Sequence, residues 1–209
     1  MFVEHILYSG AFAILAGMVF YHFTERDPSW IIIVCALAPD VDYIANPLLR
    51  HLGIGLLLNG HPILHGTFHN IAFMVLFGIA MAFVLHPLGI RFLDSLLFSM
   101  IGFGAHLAED ALVFKTGYSS LWPLTSAPSG LGLLTNIINE ETYIRDFYNL
   151  ANTDVLIIGL LLLFTAVIIR CYAEQSFSWL RWYLPQEIYL IVSGQKPGAG
   201  TGTGDHSVR

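Results

Sequence analysis

The sequence predicts an all-α membrane protein, a bundle of about five transmembrane helices with a long loop between the fourth and the fifth. Of its 209 residues, 56% are hydrophobic and only 11% are charged, whereas a soluble domain usually carries about 25% charged residues. The mean hydropathy is +0.67. The length suits one domain, which we place at residues 1–194. A Gly-rich tail at 195–209 is expected to be disordered.

Five segments approach the roughly 20 apolar residues that a helix needs to cross a bilayer. In chain order they are 2–23, 30–44, 71–88, 92–108 and 155–171. The second segment is short, and Pro39 disfavours helical geometry at the residue before it, so we expect its end to unwind. Irregular backbone at membrane depth is tolerated only where it is buried in protein or lines a cavity. The end of the second segment is therefore a candidate site.

The distribution of charge limits the possible partners and predicts an orientation. A net charge of -6 without any Lys/Arg cluster argues against nucleic acid. With five spans, the face that holds the C-terminus carries six basic residues and the other face carries three: Arg26, Arg91, Arg170, Arg181, Lys196 and Arg209 against Arg50, Lys115 and Arg145. Because basic residues favour the cytoplasmic side, we predict an inner-membrane protein with a cytoplasmic C-terminus.

Ionisable residues cluster at the ends of four predicted spans. They open the first and third and close the second and fourth: Glu4 and His5; His65 and His69; Asp40 and Asp42; His106, Glu109 and Asp110. All four groups lie at the same membrane face, predicted to be extracytoplasmic. Ionisable groups at such positions are costly and are functional candidates by default.

The spacing of these residues suits a divalent metal ion. His65 and His69 are four residues apart, as are His106 and Asp110, so each pair lies on one face of a helix. Two nitrogens from one helix, a nitrogen and an oxygen from another, and an aspartate from a third could close around one ion. Imidazole with carboxylate suits zinc best, with manganese or iron as alternatives. Three or four such ligands leave a position open for water.

At these residues the chain resembles the LexA-regulated, membrane-bound metal-dependent hydrolase family. That family has a His near the N-terminus, a P-D-x-D-H-like motif, a G-H-R-G-x-T-H-S-like motif, and H-x3-D followed by a Thr/Gly turn and Trp-Pro. The matching stretches here are EHILYSG, APDVDYI, LHGTFHN and AHLAEDALVFKTGYSSLWPL, in the same order over residues 4–123. The resemblance implies a site formed by His5, Asp40, Asp42, His65, His69, His106 and Asp110.

Three departures from the family pattern bear on the substrate more than on the metal. The family's arginine is absent from HGTFHN, the two histidines there are one residue closer, and Tyr43 stands where the family often has His. Since an arginine could grip an anionic group of a substrate, its loss leaves the substrate class open.

The predicted function is that of a membrane-embedded, metal-dependent hydrolase, acting at the bilayer edge on a lipid or lipid-linked (phospho)ester. The expected metal ligands are His5, Asp40, His65, His69, His106 and Asp110, with Asp40 either a ligand of one ion or a bridge between two. The candidates for a general base or an orienting carboxylate are Asp42, Glu109 and Glu4. The alternative is a non-catalytic metal-binding protein, a carrier or a sensor. Transport is disfavoured because the third and fifth spans offer almost no polar groups in mid-membrane. A purely structural subunit leaves the clustered acids and histidines unexplained.

Overall fold

Helices make up nearly all of the regular structure of the chain. A computed structural model describes residues 2–54, 57–58, 61–62, 66–134 and 153–193. Its helices are α1 (Phe2–Thr24), α2 (Trp30–Cys35), α3 (Asp42–His51), α4 (Ile71–Leu85), α5 (Phe92–Val113), α6 (Thr153–Glu174) and α7 (Gln186–Ser193). Short 3-10 turns lie at Pro39–Val41, His86–Leu88 and Ser178–Trp182, and two-residue strands β1 (Leu57–Leu58) and β2 (His61–Pro62) pair antiparallel. The predicted all-α membrane fold is confirmed.

Within the described residues, four helices are long and apolar enough to cross a membrane: Val3–Thr24, Ile71–Leu88, Phe92–Val113 and Thr153–Glu174. The outer faces of α4 and α6 expose large apolar side chains such as Phe83 and Phe164, which lipid accommodates and water does not. Helix α5 is the most enclosed of the four, since 56% of its apolar window is buried inside the protein. It is the central helix against which α1, α2 and α4 pack.

The predicted second span, 30–44, is not one continuous helix. Helix α2 ends at Cys35, and α3 begins at Asp42 after the 3-10 turn. The cause is Pro39, which has no N–H to donate to the carbonyl of Cys35. That carbonyl accepts instead from the amide of Ala38, three residues ahead, at 3.1 Å, as in a 3-10 turn. The prediction that this segment unwinds near the proline is confirmed.

A fold-back before α2 shortens the distance that this segment has to cover. The segment from Asp27 to Ser29 lies against Gly17, in space that any side chain at that position would occupy. Gly17 is twelve residues from His5 on α1, or about 18 Å along the helix. The chain from Ser29 to Asp40 therefore covers only part of the bilayer thickness.

A buried ion pair holds this fold-back in place. Arg170 of α6 is fully buried, with its Nη2 atom 2.7 Å from Oδ2 of Asp27 and its Nε donating to Glu174 at 2.8 Å. The hydroxyl of Tyr183 donates to the carbonyl of Ala13 at 3.1 Å and joins the same group. Arg170 is thus a bundle residue and not a loop charge, so it does not bear on the orientation. The orientation stays a prediction.

Helix α2 reaches α5 at a glycine. A methyl group added at Gly102 would lie 2.5 Å from the carbonyl oxygen of Ile32 and 3.0 Å from its Cα. The two backbones are therefore in direct contact, which small residues permit between membrane helices. One turn beyond Gly102 on α5 is His106, so this contact brings the end of α2 to the candidate site.

The long loop predicted between the fourth and fifth spans lies between α5 and α6. Residues 114–134 run back over the start of α4, where the carbonyls of Ser120 and Trp122 accept from the amides of Ile71 and Ala72. The rest of the loop, the predicted ligand His65 and the predicted disordered tail lie outside the described residues.

Candidate metal centre

Five of the predicted ligands meet in one buried cluster from four parts of the chain. His5 comes from the first turn of α1, Asp40 from the 3-10 turn, His69 from the segment before α4, and His106 and Asp110 from α5. Each of the five side chains is at least 90% buried. Helix geometry places His106 and Asp110 together, and the break after α2 turns Asp40 towards them.

The ligand atoms of this cluster lie close to one another. The Nε2 atoms of His69 and His106 are 3.3 Å apart. Oδ1 of Asp40 is 3.3 Å from Nε2 of His69 and 3.6 Å from Nε2 of His106, and Oδ2 of Asp110 is 3.5 Å from both nitrogens. Nε2 of His5 is 3.7 Å from Oδ2 of Asp40. Two groups of three thus share His106: His5, Asp40 and His106; and His69, His106 and Asp110.

Hydrogen bonds outside the cluster fix the orientation of two of the imidazoles. Nδ1 of His5 donates to the Glu109 carboxylate at 2.8 Å. Nδ1 of His106 donates to the carbonyl oxygen of Ala36 at 2.8 Å, because a carbonyl can only accept. When these rings are neutral, as metal binding requires, Nε2 is the nitrogen that carries the lone pair, and it lies on the cluster side of each ring. The two rings stack with centroids 3.9 Å apart, and the Nε2 atoms of both lie within 3.7 Å of the Asp40 carboxylate.

The cluster fits a divalent ion by its atoms and by its spacing. It gathers imidazole nitrogens and carboxylate oxygens, and among the described residues Oδ2 of Asp110 is buried and accepts no hydrogen bond. Donor atoms around a tetrahedral zinc ion, with bonds of about 2.0–2.1 Å, lie about 3.3 Å apart, close to the observed separations. The mixture of nitrogen and oxygen suits zinc, and also manganese or iron. Outer partners such as Glu109 are typical of histidines that bind metals.

The histidines also determine the charge of Asp40. Burial by itself would raise the pKa of this carboxyl. In the metal-free protein, the hydrogen bond from His69 and the positive charge that His106 and His5 carry when protonated outweigh that effect. Together they hold the pKa of Asp40 well below its usual range. Asp40 is therefore an anion at neutral pH, as a metal ligand has to be.

The three predicted catalytic carboxylates occupy different positions. Glu109 is in contact with His5 and orients it. Asp42, at the start of α3, and Glu4, in the first turn of α1, are both buried, but neither belongs to the two ligand groups. Their catalytic roles stay predictions.

Two participants in the site were not identified from the sequence. The Ala36 carbonyl gives no sequence signal, since every residue has a carbonyl. Tyr118 follows α5, and the centroid of its ring lies 4.3 Å from that of His69. Burial, together with the charges of Asp110 and Asp40, raises the pKa of the Tyr118 phenol well above its ordinary value, so it remains protonated. Its position directly after Thr116 and Gly117, in the stretch that follows the H-x3-D motif, was the available signal.

The fold and the cluster together define a class: an integral membrane protein whose helices enclose buried histidines and aspartates that could hold a metal ion. The chain belongs to the YdjM inner membrane protein family, whose family model matches residues 1–177. This is the LexA-regulated membrane family that the motifs indicated. No curated protein and no solved structure gives a significant match.

Proposed function

We propose that the protein is a membrane-embedded, metal-dependent hydrolase that acts on a lipid or lipid-linked ester at the bilayer edge. The observation that carries the proposal is the buried convergence of three imidazoles and two carboxylates, with ligand atoms 3.3–3.7 Å apart. Ionisable groups are expensive inside a membrane protein, so a cluster of this size is expected to serve a function.

The group His5, Asp40 and His106 could hold one ion, and so could the group His69, His106 and Asp110. A bound zinc ion would supply a water with a pKa near 7 and a positive charge that polarises the bond to be cut. Among the carboxylates, Glu109 accepts a hydrogen bond from Nδ1 of His5, which leaves Nε2 of His5 to bind the ion. Asp42 is two residues from Asp40, buried, and not part of either ligand group. It is the best candidate for the general base, with Glu4 as the second.

The position of the site favours a lipid-like substrate. His5 lies in the first turn of α1 and Asp110 in the last turn of α5, so the cluster is close to the ends of two candidate spans. Scissile bonds near lipid head groups lie at this depth. A phosphoester, a carboxylic ester and an amide are all compatible with the cluster, and a substrate panel has to contain all three.

The proposal is tested by metal analysis and a substrate screen on detergent-purified protein. Wild type is expected to retain zinc, manganese or iron and to hydrolyse at least one member of the panel. His106→Ala is expected to lose both properties. His22→Ala is the matched control, because His22 is exposed at the other end of α1. Full metal content in His106→Ala would show that the proposed site is wrong. Wild type that binds metal specifically but hydrolyses nothing would support the carrier or sensor alternative.

A further inference from the structure

Of the five converging residues, His69 has the least support from its own backbone. His5, His106 and Asp110 lie on long helices, and Asp40 lies on a 3-10 turn. His69 precedes the N-cap of α4, Asn70, and its own amide donates to the carbonyl of Gly66 at 3.1 Å in a turn. Because a ligand on irregular backbone is not oriented by a helix, its orientation depends on what packs against it.

Tyr118, in the loop that follows α5, packs against His69. The two ring centroids are 4.3 Å apart and the ring planes are inclined by 41°. This contact depends on Gly66, since a methyl group there would lie 2.6 Å from Cδ1 and 2.7 Å from Cε1 of Tyr118. Gly66 also has a φ of +93°, which side-chain-bearing residues rarely adopt. The turn thus provides both the direction of the chain and the space for the ring.

The loop that carries Tyr118 is itself attached to the start of α4. The amide of Ile71 donates to the carbonyl of Ser120 at 2.9 Å, and the amide of Ala72 donates to that of Trp122 at 3.3 Å. Ile71 and Ala72 are in the first turn of α4, where the amide N–H groups have no carbonyl partners within the helix. Tyr118 therefore connects the end of α5, which carries His106 and Asp110, to the segment that carries His69.

We propose that Tyr118 is a positioning residue for the candidate metal site: its ring, seated against Gly66, holds the imidazole of His69 towards Asp40 and Asp110. This inference rests on the proposed function to the extent that the cluster binds a metal ion. It adds a residue outside the predicted ligands, and it assigns the role to the ring and not to the hydroxyl group.

The test measures zinc affinity by competition with a chelator, and the visible absorption of bound Co²⁺, which reports the geometry of its ligands. Tyr118→Ala is expected to weaken zinc binding by about 10- to 100-fold, the usual effect of removing an outer partner of a metal ligand, and to alter the Co²⁺ spectrum. Tyr118→Phe keeps the ring and is expected to restore the wild-type affinity and spectrum. Thermal unfolding without metal identifies any variant that fails to fold.

Gly66→Ala and Gly89→Ala form a matched pair that leaves Tyr118 unchanged. Both glycines have positive φ, +93° and +84°, but a methyl group at Gly89 meets nothing within 4 Å. Both variants therefore carry backbone strain, and only Gly66→Ala displaces the ring. Gly66→Ala is expected to lose zinc affinity about as much as Tyr118→Ala, whereas Gly89→Ala is expected to keep it.

Three results would overturn the inference. If wild type binds zinc and both Tyr118→Ala and Gly66→Ala bind it equally well, Tyr118 does not position His69, while the proposed function stands. If Tyr118→Phe loses as much affinity as Tyr118→Ala, the hydroxyl and not the ring is responsible. If wild type binds no metal, this inference and the proposed function both fail.

Discussion

A single methyl group at Gly102 is expected to separate the two parts of the candidate site. In Gly102→Ala the new methyl would lie 2.5 Å from the carbonyl oxygen of Ile32, 3.0 Å from its Cα and 3.1 Å from Cβ of Cys35. Two of these atoms are backbone and cannot rotate away. To restore an ordinary contact of about 3.5 Å, α2 has to move away from α5 by about 1 Å. The hydrogen bond from His106 to Ala36, now 2.8 Å, would then exceed the length of a real bond.

Three contributions determine the change in unfolding free energy of Gly102→Ala. Overpacking a well-packed contact costs about 1–3 kcal/mol, and the lost hydrogen bond costs about 0.5–1.5 kcal/mol. Alanine recovers about 1 kcal/mol over glycine in a helix interior. The expected net loss of unfolding free energy is about 0.5–3.5 kcal/mol. Because His106 loses the partner that fixes its tautomer, zinc affinity is expected to fall by about 10- to 100-fold.

The control lies two residues further along the same helix. A methyl group at Gly104 would have Sδ of Met74 as its nearest neighbour, at 3.3 Å, and a methionine side chain can adapt. Gly104→Ala is expected to be neutral or slightly stabilising. Unfolding of the purified variants in denaturant gives the stabilities, and competition with a chelator gives the zinc affinities. If Gly102→Ala matches Gly104→Ala in both measurements, the contact between α2 and α5 does not support the site.

Three further predictions concern the base, the pH dependence and the orientation. Asp42→Asn is expected to keep the metal and to lower the rate of hydrolysis by about 10²- to 10⁴-fold. Glu109→Gln is expected to weaken metal binding instead. Equal metal loss in the two variants would contradict the assignment of Asp42 as the base. Zinc affinity is expected to fall on acidification because imidazoles have to be unprotonated to bind. The Asp40 carboxylate lies 3.3–3.7 Å from Nε2 of His69, His106 and His5, and a nearby anion favours the protonated form of an imidazole. Asp40→Asn is therefore expected to lower the affinity and to move the fall to lower pH, and a profile that does not move would refute this. A cysteine at position 129, in place of Ser129, is expected to react with a membrane-impermeant thiol reagent in intact cells. A cysteine in place of Ser193 is expected to remain unlabelled. The reverse pattern would invert the predicted orientation.

Much of the fold was predictable because lipid imposes simple requirements on a chain. A long apolar segment has to form a helix that satisfies its own backbone, so the segments that became α1, α4, α5 and α6 were found from length and composition. The cluster was predictable for the related reason that ionisable groups are excluded from spans unless they meet partners. His69, His106 and Asp110 were accordingly found from their places at span ends.

The rest depended on contacts between distant parts of the chain. Arg170 reads as an ordinary charge at the end of a span, and only the fold-back that brings Asp27 into the bundle explains its burial. Tyr118 reads as a loop residue, and its role depends on a turn at Gly66 that lies more than fifty positions earlier in the sequence. Neither partner can be read from local spacing, because no helical or strand period relates such residues.

Pro39 affects both the position of Asp40 and the orientation of the His106 ring. The carbonyl of Ala36 could accept from residue 39 in a 3-10 helix or from residue 40 in an α-helix. Residue 39 is a proline without an N–H, and the amide of Asp40 donates to Leu37 instead. Both helical partners of this carbonyl are thereby removed, and it accepts from Nδ1 of His106. The proline that turns Asp40 into the cluster therefore also fixes which nitrogen of His106 faces it.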